Sequence, residues 1–247
     1  MWGVASLVFC LFSILPGDPS RMMLGQRDNE EMRMAIQKKY GFDKPIASQY
    51  IYFINDLSPL SLHGNSADDF TNLSNHPYSV IGSLRMEAYS IVIKTPYLRE
   101  SFVRKGVSVS SIIANTLPNT FILALASMSI ALFLGISLGV VCAVKQHKFI
   151  DQFLSSIAVF GMALPSFFSA ILIAWIFGFV YQKYTGLSMT GSLYEVDDYG
   201  RGEALALKNL LLPAITLGIR PLAVVMQLTR NSVLDTLGED YIRTAKA

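Results

Sequence analysis

Residues 229–247 read TRNSVLDTLGEDYIRTAKA, a polar, helix-competent stretch that emerges directly from a long apolar run. Apolar side chains fall at Leu234, Leu237, Tyr241 and Ala245, a spacing of three to four that places them on one face of a helix. Asp235, Glu239 and Asp240 come early and Arg243 and Lys246 late, which suits the helix dipole, and Glu239 stands one turn before Arg243. The stretch predicts a short amphipathic helix over 234–247 with a docking face. Such a face either covers the chain's own core or receives a partner.

Upstream, residues 209–229 form an apolar span with Pro213 at its start and Arg220-Pro221 in its middle. A guanidinium at mid-membrane costs about 2.5–3.5 kcal/mol on insertion scales, so Arg220 is expected to face a wet cavity or a polar partner. A substrate carboxylate, a carbonyl freed by Pro221 and a further helix are the three partners to weigh. Arg230 is expected at headgroup level, with Gln227 a turn deeper and facing protein. The loop 183–207 holds Glu195, Asp197, Asp198 and Glu203 against Lys183 and Arg201, and reads as the outer side.

Residues 153–181 make another span without a charge, with Ser166, Ala170, Ala174 and Gly178 recurring every four residues and Pro165 predicting a kink. The basic turn Lys145-Gln146-His147-Lys148 marks the cytoplasmic side. Between Val107 and Val144 there is no Asp, Glu, Lys, Arg or His, and residues 112–144 are expected to cross the membrane. Along that span Ala131, Gly135, Gly139 and Ala143 leave one face nearly bare, so that another helix can approach closely.

Residues 1–15 are apolar but shorter than the roughly 20 that a span needs, and no basic residues or small-residue cleavage site mark a signal peptide. They are expected to be the tail of a truncated first transmembrane helix. Residues 16–106 are the long polar part, an extracytoplasmic loop. Glu30–Tyr40 reads as an amphipathic helix stopped by Gly41, and Ile46–Leu57 as a second one after Pro45. Residues 63–96 look like an insertion in which the alternating SIVIK is a short strand. His63 and His76 are expected to be solvated loop residues, since no partner lies at metal-site spacing.

Composition agrees with a membrane protein: 52% hydrophobic and 15% charged residues, with a mean hydropathy of +0.42. The fold class is therefore an all-α, polytopic transmembrane helical bundle, with residues 107–247 as its core. Cys10 and Cys142 both sit in apolar runs, so neither a disulfide framework nor a metal site is expected, and the net charge of +2 names no nucleic-acid partner. No cofactor is expected.

Several phrases carry a resemblance. LTRNSVLDTLGEDYIRTAKA resembles the cytoplasmic coupling segment, the EAA loop, of dipeptide/oligopeptide-type ABC importer permeases, which reads T-R-x-S-x-L-x-x-L-x-x-D-Y-I-R-T-A-K-A. Pro16-Gly17-Asp18-Pro19, KKYGFDKPIASQYIYFINDL, VSSIIANTLPNT and the kink Met162-Ala163-Leu164-Pro165-Ser166-Phe167 are similar to the same family. The resemblance implies a type I importer permease of six helices, so the chain is expected to continue past Ala247 with two more. It implies a second permease subunit, two cytoplasmic ATPase subunits, an extracytoplasmic solute-binding protein and a lipid surround in a bacterial inner membrane. Leu234, Leu237, Glu239, Asp240, Tyr241, Arg243 and Ala245 would couple to the ATPase; Asn119, Met162, Pro165, Ser166, Arg220 and Gln227 would line the path. The family has a basic residue where this chain has Gln227.

An ATP-independent carrier or channel is the competing class. Proton coupling needs an intramembrane carboxylate or His, and the three full spans contain none. An enzyme is weaker still, without H-E-x-x-H, and ATP must be bound by another polypeptide because the chain lacks G-x-x-x-x-G-K-[ST].

Overall fold

The computed structural model describes residues 2–14, 19–24, 29–66, 69–104, 106–196 and 202–246. Most of Pro16-Gly17-Asp18-Pro19, together with Asp197, Asp198 and Arg201 of the acidic loop, lies outside them. The chain divides into two compact units, residues 1–115 and 116–247.

The first unit starts with three short helices, α1 (Trp2–Ile14), α2 (Pro19–Leu24) and α3 (Glu30–Tyr40). Helix α3 begins where the Asn29 side chain accepts from the Glu31 amide, and ends at Gly41, whose φ of 72° only glycine adopts without cost. Helix α4 (Ile46–Leu57) follows and packs against α1, where Ser6 Oγ lies 2.6 Å from Tyr50 OH and Phe9 meets Tyr50 and Phe53.

Residues 63–96 do more than supply one strand. Strands β1 (Leu60–Gly64), β2 (Val80–Arg85) and β3 (Tyr89–Lys94) form an antiparallel sheet of order β1-β3-β2, with Leu60 opposite Ile93 and Leu84 opposite Ile91. His63 overturns the expectation of a solvated residue: its relative exposure is 0%. Its Nδ1 donates to the Thr71 carbonyl at 2.6 Å and its Nε2 lies 2.8 Å from Ser61 Oγ, so the ring is a structural element of the interior. Asp56, at the end of α4, is the centre of that interior. It accepts from Tyr78 OH at 2.7 Å and Arg99 Nε at 2.8 Å, while Lys94 Nζ donates to its carbonyl at 2.6 Å.

The second unit is helical. Helix α5 (Val109–Val144), which starts in the first unit, and α9 (Lys208–Gly238) are both long and apolar enough to cross a membrane. Their contact rests on the small-residue stripe: Ala131, Gly135, Gly139 and Ala143 are all buried. A Cβ at Gly139 would lie 2.7 Å from the carbonyl oxygen of Met226, and one at Gly218 3.0 Å from that of Ser127. A short helix α8 (Gln182–Thr185) and a hairpin, β4 (Tyr194–Val196) with β5 (Glu203–Leu205), precede α9.

The expected single span over 153–181 is broken. Helix α6 (Phe149–Ala163) and α7 (Ser166–Trp175, prolonged by a π-helical turn over Ile176–Val180) meet at an angle of 111°. Pro165 has no N–H for the preceding turn, and its ring drives Leu164 into an extended conformation (φ −70°, ψ 135°), so the helix restarts beyond it. If the bent pair counts as one span, the described residues hold three; α1 is shorter. The second small-residue stripe divides accordingly. Gly178 is buried against the backbone of Ser188 and Met189, whereas Ser166 at the break is exposed.

Residues 234–247 differ from the single amphipathic helix expected. Leu234 and Leu237 belong to the last turns of α9, Glu239 is extended (φ −69°, ψ 146°), and a separate α10 (Asp240–Lys246) begins after it.

Candidate functional site

Of the residues expected to line a path, Met162, Pro165, Ser166 and Arg220 lie at the break between α6 and α7, which both pack on α9. Because α6 ends at Ala163, the carbonyl of Leu164 is released from the helical ladder; the Phe168 amide, its partner in an unbroken helix, bonds to Pro165 instead. Arg220 of α9 donates to that Leu164 carbonyl at 3.2 Å. The cation thus sits at the negative end of the α6 dipole. Of the partners weighed for Arg220, a freed carbonyl is what it touches, but the carbonyl is freed by Pro165 and not by Pro221. The rest of the side chain is exposed, as are Pro165 and Ser166.

Met162, in the last turn of α6, packs on the cluster Cys142, Ala158, Ala223 and Met226. Gln227 lies two turns beyond Arg220 on α9 and is half-buried. Asn119 is exposed on α5, and no hydrogen bond or ring contact joins it to the break among the described residues.

Below the break lies a pair that the sequence reading missed. Arg230 donates through Nε to Asp151 Oδ1 at 2.7 Å and through Nη2 to Oδ2 at 2.8 Å, and the His147 amide donates to Oδ2 at 3.1 Å. Asp151 is 3% exposed. The two-pronged geometry fixes both side chains, and removing one partner would strand a buried charge. One carboxylate therefore ties the 145–148 turn, the first turn of α6 and the end of α9 together. The signal available in the sequence was an acid in the first turn of a helix, just after a basic turn, where the dipole favours it.

Beyond Arg230 the chain opens outward. Leu234 is half-buried, Leu237 is 39% exposed and Tyr241 62% exposed. Leu237 also lines an apolar groove with Ile136, Leu228, Thr229, Ser232, Val233 and Thr236. Glu239 occupies the junction, where its carbonyl accepts from the Ile242 amide, and Asp240 opens α10. The side chains of Arg243 and Ala245 lie outside the described residues. No cluster of three metal-ligating side chains occurs among the described residues.

Comparison with known proteins gives this arrangement a family. The chain matches the family "Binding-protein-dependent transport system inner membrane component" over residues 135–247, and the N-terminal region of such membrane components over residues 1–67. It is 27% identical to the Di/tripeptide transport system permease protein DppB of Pseudomonas aeruginosa, over 100% of this chain and 66% of that protein. It is 26% identical to the Probable D,D-dipeptide transport system permease protein DdpB of Escherichia coli, over 99% of this chain and 65% of the relative. The Oligopeptide transport system permease protein AppB of Bacillus subtilis is 26% identical, with the same two coverages. The chain thus spans about two thirds of the length of these curated relatives. With both family regions matched in order and the relatives aligned over nearly all of its length, the chain belongs to the family of binding-protein-dependent transport system inner membrane components.

Proposed function

We propose that the protein is a transmembrane permease subunit of an ATP-driven importer, moving short peptides across a bacterial inner membrane by alternating access. The names of its relatives, dipeptide and oligopeptide permeases, support the substrate class. The observation that carries the mechanism is the continuity of α9. One helix holds Arg220 at the α6–α7 break, Arg230 on Asp151, and Leu237 beside the exposed Tyr241 segment. A displacement at its cytoplasmic end moves the break without crossing a flexible loop.

In this reading two cytoplasmic ATPase subunits close on ATP and push on the Leu234–Tyr241 segment. A second permease subunit completes the cavity, and an extracytoplasmic solute-binding protein delivers the peptide. Arg220, held on the Leu164 carbonyl by part of its guanidinium, offers the remaining donors to a peptide carboxylate. Asn119, Met162, Pro165, Ser166 and Gln227 line or shape the path. Glu239, Asp240, Arg243 and Ala245 complete the coupling surface around Tyr241. Hydrolysis takes place on the partners, and the permease itself is no enzyme.

Tyr241 is the anchor to test, because an aromatic side chain fills a pocket and still presents a hydroxyl at its rim. Truncating such an anchor costs about 2 kcal/mol or more, on the order of 30-fold in affinity. Tyr241→Ala in the full-length protein is expected to insert normally, lose the ATPase subunits on purification and uncouple ATP hydrolysis from peptide uptake. Normal co-purification and uptake would refute the coupling role.

A further inference from the structure

The sheet of the first unit is built inside out. Its covered face carries Ser61, His63, Ser90 and Lys94, all buried and hydrogen-bonded, around one buried apolar side chain, Val92. Its open face is apolar: Leu60 pairs with Ile93, and Ile91 lies between Leu62 and Leu84. Leu60, Leu62, Leu84 and Ile93 are 61%, 59%, 73% and 52% exposed. An antiparallel sheet with one face in water ordinarily turns its apolar residues to the core, so a contiguous open apolar face marks a contact with protein or membrane.

Two observations choose between these. The first is composition. Binding energy at protein interfaces concentrates in Trp, Tyr and Arg, with Leu under-represented, whereas this face is aliphatic. Tyr89 stands at its margin, as aromatic side chains do at a membrane–water boundary.

The second is continuity with the apolar helix α1. Helix α1 is apolar and open on the side away from α4, with Val4, Leu7, Leu11 and Phe12 all exposed. Helix α4 packs on Phe9, five residues before the end of α1 at Ile14 and so about 7.5 Å back along its axis. It therefore lies beside the apolar body of α1 and not beyond its tip. Ile46 and Ile51 of α4 point outward, and Ile51, Ile54 and Leu60 line one groove, so the apolar surface passes from α1 over α4 onto the sheet. An amphipathic helix at that depth, with an apolar sheet beside it, is the arrangement of an interfacial element.

We propose that this face of the sheet, together with the outer side of α4, rests in the bilayer surface, in contact with phospholipid acyl chains. The inverted polarity follows from that placement. Lipid covers the aliphatic face, and the polar face folds onto Asp56 and Thr71.

The test places the photo-reactive residue p-benzoylphenylalanine at Leu84 or Ile93 of the full-length protein in bacterial membranes, with Ser83 as the control. Ser83 is on the same strand but opposite Val92, on the other face. After irradiation, positions 84 and 93 are expected to gain the mass of one phospholipid, and position 83 none. Adducts to a polypeptide at 84 and 93 would overturn the proposal in favour of a protein partner. Equal lipid labelling on both faces, or no adduct at either site, would overturn it outright. Leu62, on the same face, substitutes for Leu84 or Ile93 where that variant fails to accumulate.

Discussion

The two units of this chain exclude solvent from their interiors by opposite means. Residues 116–247 hold their helices together by removing side chains: Ala131, Gly135 and Gly139 let α5 approach until Gly139 faces the backbone of Met226 and Gly135 that of Leu222. The first unit fills its interior with polar groups instead, a carboxylate, a guanidinium, an imidazole, an ammonium and two phenols joined by hydrogen bonds and ring contacts. Both leave large apolar side chains outside. Where lipid is the solvent, burying a leucine gains little, and stability comes from close backbone packing and satisfied polar groups. The same argument explains why an inside-out sheet is tolerated in a chain that also carries transmembrane helices.

The largest expected effect lies in the polar interior. Asp56 is 4% exposed and accepts from both Tyr78 and Arg99. Asp56→Ala strands the Arg99 guanidinium and is expected to cost about 3–5 kcal/mol. Hydrogen exchange at the β1 and β3 amides in the reconstituted protein measures it, with exchange at α5 as the internal reference. Unchanged protection in β3 would mean that the aliphatic face, not the network, holds the sheet, and the contrast between the units would fail.

A smaller effect tests the other side of the comparison. A Cβ at Gly139 meets a backbone oxygen at 2.7 Å, which cannot swing aside, whereas nothing lies within 4 Å of one at Gly82 in β2. Gly139→Ala is expected to destabilise the α5–α9 contact by about 1–3 kcal/mol. Gly82→Ala is expected to be near neutral. Thermal unfolding of the two purified variants in detergent decides; equal stability would show that the helices have room to part.

Much of this was legible in the sequence, and the exceptions share a cause. Gly41 and Pro45 punctuate α3 and α4 strongly enough that both helices run over the expected residues. The Gly135 and Gly139 spacing announced a close neighbour because a stripe of missing side chains has one common use in lipid. Pro165 announced a kink, but neither its size of 111° nor the bond from Arg220, 56 positions away, to the freed carbonyl. Asp151 and Arg230 are 79 positions apart, so nothing local marks them as partners. The period-two pattern of LSLHG and YSIVIK fixed which residues share a face, but not which face meets water. Gly238 was a readable stop that went unread, a glycine where α9 ends and Glu239 turns extended.

The smallest effect is a pH slope confined to one unit. Burial holds the pKa of His63 below its ordinary 6.5, against the opposing pull of the hydrogen bond to Thr71, and burial lowers that of His76 as well. Each ring is therefore neutral when folded at a pH where the unfolded chain already takes up a proton. The unfolded state binds more protons, so stability rises with pH. The stabilising contribution is fully present above pH 6.5 and is lost as the pH falls below that value through the folded-state values. Lowering the pH from about 7.5 to about 5.5 should weaken exchange protection in β1 and β3 while leaving α5, which has no carboxylate or imidazole, unchanged. His63→Gln should flatten part of that slope, and the double replacement of His63 and His76 nearly all of it. A slope of equal size in α5, or one that survives the double replacement, would place the titrating groups elsewhere and remove the distinction between a polar interior and a packed one.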